Sequence, residues 1–399
     1  METEKIVTKR EGYGVNISAG KPDSLRKVVT TFTTVRAYDG QHIGVAGQIG
    51  KADDSELYKK AEAALSRGVP YPCSLSSDKK QVDNIKKIIP AEDIVKASSS
   101  LLSRIEQAAP RFTASNKIEL EYVEKEYTNS KGSHLKYAGN NLEVTLVFKD
   151  KKSANIHDFY YQHRGYNYNE DTIVSDCKML ADAFLNEVAE PEKKLPIAID
   201  SGMVFARVIS DLIPEVYCNG AGKFAGKIGQ KLFSDRFTLS VDRKLANKDI
   251  NVPFFDAEGT PDNGFKLVDG GILRGLLSNK RSAGMFNLPL SASASSDSFD
   301  SVPTYGLEGL HIGDTADKVT DIADSFIYVA ITSGGDVSPD GTVGMPCQLC
   351  FLVENGKIVG RLPHRNLTAN LFGLYGERYL GSAKNNLFKS NCGSLDIFG

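Results

Sequence analysis

The chain has 399 residues, of which 41% are hydrophobic and 25% are charged, a profile typical of a globular protein with more than one domain. Its net charge of −2 gives no overall attraction to nucleic acid or to an anionic membrane. No run of about 18 apolar residues, the length that spans a bilayer, occurs in it. The first residues lack the apolar segment of a secretory signal. Six cysteines scattered over so long a chain fit reduced thiols better than a disulfide framework, so we expect a cytoplasmic protein.

The residues before 189 show two kinds of pattern. β-Branched runs with a period of two predict strands, and apolar residues three and four apart predict helices. The predicted strands lie in 28–47, 117–128 and 141–150, and the predicted helices lie in 53–67, 91–109 and 172–188. Residues 129–140 are rich in turn formers and are predicted to connect two strands.

A charged segment with two prolines, AEPEKKLP at 189–196, separates regions of different character. We place the domain boundary there, with an α+β domain at 1–190 and a second domain at 196–399. The second region begins with a short strand and a helix ending near Pro214. Short strands and frequent turns follow, including a hairpin on Asn355-Gly356. This pattern predicts a β-rich domain of barrel or sandwich type, so the fold class is α+β with two domains.

Several stretches, in order along the chain, resemble landmarks of the TldD/PmbA family. They are NSKG at 129–132, GKIGQKLFSDRFTL at 226–239, FFDAEGTPDNG at 254–264, the run into the ENG turn at 354–356, and NCGS at 391–394. The resemblance implies structural or peptide-contact roles for nine motif residues: Asn129, Ser130, Gly132, Asp256, Glu258, Gly259, Glu354, Asn355 and Gly356.

The resemblance also implies a two-domain protein that acts as a dimer in peptide proteolysis. In the TldD-like branch, a helical His-Glu-x-x-x-His motif supplies two zinc ligands and a glutamate that activates water. No histidine of this chain is followed by glutamate. The ligand positions fall near Ala206 and Ser210 or Asp211, and the glutamate position falls near Arg207, whose cationic side chain would repel a divalent ion.

The chain is therefore identified as a metal-free, TldE-like member of the family. We expect it to have no catalytic residues, no metal ligands and no cofactor of its own. Its expected partners are a peptide and a zinc-bearing TldD-like subunit, or a second copy of itself. The alternative is a standalone homodimeric binding or regulatory protein with the same fold. A tract at 288–303 departs from the family pattern and motivates that alternative. By composition this tract is predicted to be a flexible surface loop.

Asp256 and Glu258 raise a choice between two roles. Two residues apart on an extended strand, their side chains share a face and could act as an acid–base pair. They could instead accept backbone N–H groups within a turn. We favour the turn, because no histidine or metal ligand accompanies them.

Other candidate ligands are interpreted as structural. Cys347 and Cys350 have the spacing of metal-binding or redox-active cysteines, but a single such pair is weak evidence for either kind of site. They lie in a predicted strand, where residues three apart point to opposite faces, so we interpret them as buried apolar cysteines. His157 and His163 are about 20 Å apart at strand rise, too far apart to share a metal. Cys392 resembles the family's C-terminal cysteine, a third zinc ligand in the metal-bearing branch, but here it lacks the two imidazoles.

Overall fold

The computed structural model describes all 399 residues. The first 165 residues supply all seven strands of one sheet. These strands are β1 (Glu2–Ser18), β2 (Lys21–Tyr38), β3 (Ile43–Ile49), β4 (Lys79–Asn84), β5 (Phe112–Asn129), β6 (His134–Asp150) and β7 (Phe159–Gly165). Their order is β3-β2-β1-β5-β6, and both β4 and β7 pair with β6. β5 forms antiparallel pairs with both β1 and β6 along most of its length, so the centre of this sheet consists of three long strands.

Three helices accompany this sheet: α1 (Asp54–Ala64), α2 (Ile94–Ala108) and α3 (Glu170–Leu185). The Asp53 and Asn169 side chains cap α1 and α3 by accepting a backbone N–H from the first turn. The apolar face predicted for α2 is buried, including Ile94 and Leu101. Hydrophobic periodicity therefore identified these helices correctly.

The later residues form short strands. They are β8 (Ile197–Asp200), β9 (Leu239–Val241), β10 (Phe265–Asp269), β11 (Ile272–Leu273), β12 (Ala294–Ser295), β13 (Thr304–Tyr305), β14 (Leu310–Ile312), β15 (Phe326–Thr332), β16 (Asp336–Val337), β17 (Thr342–Glu354), β18 (Lys357–Leu362), β19 (Arg365–Asn370), β20 (Tyr379–Lys384) and β21 (Ser394–Phe398). The largest sheet has the order β16-β17-β15-β8-β21-β20, with β18 and β19 also on β17. A four-stranded sheet, β11-β10-β9-β14, and the pair β12-β13 complete the set.

The helices of this region are short: α4 (Pro214–Cys218), α5 (Arg243–Ala246), α6 (Lys280–Phe286), α7 (Val319–Ile322) and α8 (Leu371–Leu374). Three 3₁₀ helices occur in the chain, at Leu65–Arg67, Ala91–Asp93 and Phe205–Leu212. No helix is both long and apolar enough to cross a bilayer.

Strands before and after residue 190 belong to separate sheets, and the predicted α+β class is confirmed. The largest hydrophobic core nevertheless draws on both regions, because side chains of α2, α3, β5 and β6 pack with those of β15, β17 and β21. A second core lies wholly after residue 196 and contains an aromatic cluster around Phe205 and Phe237. The boundary at 189–196 therefore remains a prediction about folding units.

Two local predictions are wrong. The connection predicted at 129–140 is confined to residues 130–133, because β5 ends at Asn129 and β6 already begins at His134 and continues the antiparallel ladder. The turn formers Gly139 and Asn140 are accommodated within a strand. The helix expected to end near Pro214 is a 3₁₀ helix at Phe205–Leu212, and Pro214 begins α4 instead, where its missing N–H costs nothing.

Candidate functional site

The segment that most resembles the family is a buried turn at residues 253–260, called here the acidic turn. Its backbone carbonyls face four cationic side chains. The donors and their distances to the carbonyl oxygens of residues 253–258 are Arg243 Nη1 (3.3 Å, two carbonyls), Lys125 Nζ (3.4 Å), Arg36 Nη1 (2.7 Å) and Lys280 Nζ (2.6 Å). These cations come from α5, β5, β2 and α6, so the turn joins the first sheet to the later residues.

Asp256 acts as the acceptor at the centre of this turn. Its carboxylate accepts the backbone N–H groups of Glu258 at 2.8 Å, Thr260 at 2.9 Å and Ala294 at 3.0 Å. The side chain is buried, so all its acceptor capacity is directed inward. These contacts match the turn role that we favoured for this residue.

Glu258 has a different environment. One carboxylate oxygen accepts the backbone N–H of Lys280 at 2.7 Å, and the other accepts the Tyr71 hydroxyl. Burial raises the pKa of Glu258 to about 7, although the Lys280 charge opposes this. The carboxylate is sealed from solvent, so the two acidic residues of the turn do not form an exposed pair.

A third buried carboxylate, Glu4 on β1, lies at the centre of the surrounding network. One of its oxygens accepts Arg36 Nη1 and the Tyr38 hydroxyl, each at 2.8 Å. The other accepts the Tyr127 hydroxyl at 2.8 Å and Lys280 Nζ at 3.0 Å. Burial alone would raise the pKa of Glu4, but Lys280 and Arg36 outweigh it and hold the pKa below its usual value. We call Glu4, Arg36, Tyr127, Glu258 and Lys280 the buried charge network.

Tyr127 also brings together two of the motifs that resemble the family. Gly259 has φ +71° and lies against the Tyr127 ring, 2.4 Å from where a Cβ would stand, so only glycine fits there. The Asn129 amide donates to the Tyr127 hydroxyl at 3.1 Å, and its oxygen accepts the N–H groups of Lys131 and Ser133. No local sequence pattern indicates that these two motifs meet.

The remaining motif residues have local roles. The Ser130 hydroxyl accepts the backbone N–H of Thr3 at 3.0 Å, and Gly132 turns the chain with φ +88°. Asn355 and Gly356, at φ +50° and +70°, form the predicted two-residue hairpin between β17 and β18. Glu354 is exposed beside them. This hairpin belongs to a different sheet from the strands that carry the buried charge network.

Sequence reasoning missed Glu4, Arg36, Tyr127 and Lys280 as members of the network. Glu4 and Ile6 are two residues apart on β1 and both are buried. Because alternate residues of a strand point to the same face, this spacing would have indicated that Glu4 is buried if the strand had been recognised. Lys280 lies in the SNKRSA stretch of the family-like run. Nothing in the local pattern indicates that its ammonium reaches a carboxylate on β1.

The tract at 288–303 was predicted to be a surface loop, but residues 291–294 within it are buried. Ser291 and Ser293 are buried, and the Ser291 hydroxyl accepts the backbone N–H of Ser278 at 2.7 Å. The Phe299 ring stacks on Phe32 of β2 with centroids 6.0 Å apart. Small side chains are needed here because the tract packs under the acidic turn. Its serine and alanine content therefore reflects close packing.

The positions of the family's metal motif carry no metal-binding arrangement. Arg207 donates to the Gly334 and Gly335 carbonyls at 2.8 and 2.5 Å, and Asp211 pairs with Lys223 at 3.2 Å. Ala206 offers no ligand atom. No group of three or more His, Cys, Asp or Glu side chains is arranged to hold a metal ion. The residues present therefore do not fit a zinc site of the TldD type.

All six cysteines are free thiols. Cys347 and Cys350 are buried as expected, but their predicted placement on opposite faces is wrong. A β-bulge between β15 and β17 shifts the alternation, so both side chains enter the same core. A hydrogen bond from Cys350 lowers the pKa of Cys347 to about 7.

The two candidate histidines are not brought together as ligands. The His163 ring nitrogens lie 3.2 Å from the Asn391 carbonyl and 2.8 Å from the Asn167 carbonyl, which is a structural arrangement. His157 is exposed, just before β7 begins. The Cys392 thiol donates to the Gln162 carbonyl at 3.2 Å.

A separate cavity of about 210 Å³ lies where β7 faces β8, β15 and residues 388–393. We call it the junction cavity. Asp200, at the end of β8, lines it together with Tyr160, Tyr328, Phe388 and Cys392. Burial, with a smaller contribution from Asp396, raises the pKa of Asp200 to about 6. Burial raises the pKa of the Cys392 thiol to about 12, which leaves it a poor nucleophile near neutral pH.

Residues 203–394 match a family model, that of the PmbA/TldA metallopeptidase C-terminal domain. Two TldD metalloprotease homologues of Buchnera aphidicola are similar in sequence. The homologue from the Acyrthosiphon pisum symbiont is 28% identical over 153 residues, covering 37% of this chain and 31% of the relative. That from the Schizaphis graminum symbiont is 26% identical over 188 residues, covering 45% and 38%. The matches thus span about a third of the length of these relatives.

Solved structures show the same fold over the whole chain. TldE from Thermococcus kodakarensis superposes with a TM-score of 0.81 and 16% identity, covering 100% of this chain and 95% of that one. A protein of Thermotoga maritima, described as a candidate modulator of a DNA gyrase, superposes with a TM-score of 0.73 and 14% identity, covering 99% and 96%. At these identities the likeness establishes the architecture.

Proposed function

The chain belongs to the TldD/PmbA family, and on this basis we propose that it is the non-catalytic, TldE-like subunit of a cytoplasmic peptidase complex. Its partner would be a zinc-bearing TldD-like chain, and the complex would act on peptides. The observation that carries this proposal is the Phe205–Leu212 turn within the family-matched region. The resemblance places a histidine and the glutamate of the metal-bearing branch near Ala206 and Arg207 of this 3₁₀ helix, and the Arg207 guanidinium donates to two backbone carbonyls.

An open sheet edge supports a role in binding another chain. β3 pairs with β2 only at Phe32–Tyr38, which leaves the outer side of residues 21–31 without a strand partner. Leu25, Val28 and Val29 are exposed along this stretch. An exposed edge with apolar side chains is a template for an added strand from a partner or a peptide.

The proposal is tested by co-expressing the chain with a TldD-like chain from the same source and purifying through a tag on this chain. We expect a stable heteromer with about one zinc per pair, and no stoichiometric zinc in this chain alone, by elemental analysis. A variant with Val29→Lys on the open edge, compared with Lys51→Glu at another exposed site, tests whether the edge contributes to assembly.

Two results would overturn the proposal. Stoichiometric zinc in the lone chain would mean that an unrecognised site exists. A chain that remains a homodimer and does not bind the TldD-like chain would favour the standalone alternative.

A further inference from the structure

The junction cavity is lined by two acidic side chains and by three aromatic rings. Asp200 and Asp249 line it together with Tyr160, Tyr328 and Phe388. Its volume of about 210 Å³ is below the ~300–1,000 Å³ typical of cofactor and drug-sized sites. The cavity therefore suits one side chain or a small amine rather than a nucleotide.

The charge of Asp200 has no partner in the protein. Burial and the neighbouring Asp396 raise its pKa, and no hydrogen bond or cation lowers it. Asp249 receives only a long hydrogen bond, 3.4 Å from the Asn391 amide. The cation at the rim, Arg164, is already paired with Glu143 at 2.9 Å. Two carboxylates thus face this cavity without a compensating positive charge.

We propose that the junction cavity binds the cationic side chain of a basic residue, lysine or arginine, carried by a peptide. Asp200 and Asp249 supply the negative charge that such a group requires. The rings of Tyr160, Tyr328 and Phe388 accommodate its aliphatic stem and interact favourably with its charge. This inference deepens the proposed function, on which it rests, by naming the peptide feature that this subunit recognises.

Short peptides that differ only in the central side chain test the inference. The full-length protein is titrated by isothermal calorimetry or NMR with acetyl-Ala-Lys-Ala-amide, the arginine analogue, and the norleucine analogue, which keeps the stem without the charge. We expect at least one basic peptide to bind tenfold or more tighter than the norleucine peptide. Asp200→Asn should remove that preference, and Asp249→Asn should reduce it. Asp235→Asn, whose carboxylate is 81% exposed elsewhere, should leave it unchanged.

Equal binding of the norleucine and basic peptides would overturn the inference, as would a preference that survives Asp200→Asn. Asp200→Asn should fold, because it removes a charge that lacks a partner. If Asp200→Asn does not fold, Asp249→Asn provides a second variant, because Asp249 is exposed. Association of each variant with the TldD-like chain is measured in parallel. Association without a charge preference refutes only the cavity inference, and a charge preference without association refutes only the proposed subunit role.

Discussion

The buried charge network and the junction cavity both place carboxylates where the first sheet meets the later residues, yet their electrostatics differ. In the network, Glu4 accepts four hydrogen bonds, two of them from Arg36 and Lys280. In the cavity, no cation lowers the pKa of Asp200. Burying a charge is costly unless it is paired and hydrogen-bonded. The first cluster therefore compensates its buried Glu4 charge within the protein, whereas the second contains a carboxylate whose charge no cation of the protein compensates.

Removing a cation from the network should have the largest effect. Lys280→Met leaves Glu4 with one cation fewer and removes a donor to the acidic turn, so we expect a loss of about 3–5 kcal/mol in the free energy of unfolding. Urea unfolding monitored by circular dichroism measures it. The control is Lys231→Met, because Lys231 pairs with Asp235 on the surface, and such pairs contribute about 1 kcal/mol or less. Similar losses in both variants would contradict a structural role for the network.

Removing the unpaired carboxylate of Asp200 should instead increase the free energy of unfolding above the pKa of that group. The folded-state pKa of Asp200, about 6, lies above its ordinary value of 3.8. The folded protein therefore holds this proton more tightly than the unfolded chain, and its stability falls as pH rises from about 4 to 6. Its titratable or charged neighbours are Tyr160, Tyr328, Cys392, Asp396, Asp249 and Arg164. Burial also raises the pKa of the Asp396 carboxyl group.

Asp200→Asn should consequently be more stable than wild type at pH 8, by on the order of 2 kcal/mol, and nearly equal to it at pH 4. Unfolding midpoints measured across this range provide the comparison. If the substitution destabilises the protein at pH 8, Asp200 has a partner in solution and the contrast between the two regions fails.

Substitutions at two glycines, only one of which contacts the network, test how tightly the network is packed. Gly259 and Gly220 both have φ +71°, but only Gly259 would place a Cβ against the Tyr127 ring. Gly220→Ala should cost about 1 kcal/mol for the left-handed backbone alone. Gly259→Ala should cost about 2 kcal/mol more, because the ring holding Glu4 must also shift. Equal thermal shifts in the two variants would mean that the contact with Tyr127 is loose.

Local patterns were sufficient for much of the fold. The α2 face followed from apolar spacing, and the Asn355-Gly356 hairpin followed from the residues that tolerate positive φ. The composition of residues 288–303 misled us, because serine and alanine are common both in solvated loops and in tightly packed segments. The Cys347–Cys350 placement failed because a bulge, which depends on the partner strand, shifted the side-chain alternation.

The α+β class, the order of the family-like motifs and the absence of any His-Glu pair could be read from the amino-acid sequence, because these features depend on residue identity and short-range spacing. Folding brings Glu4 to Lys280, 276 residues away, and leaves Asp200 without such a partner. The energetic role of a charge depends on the groups that surround it after folding. Those groups come from strands and turns that are distant in sequence, so no local pattern records them.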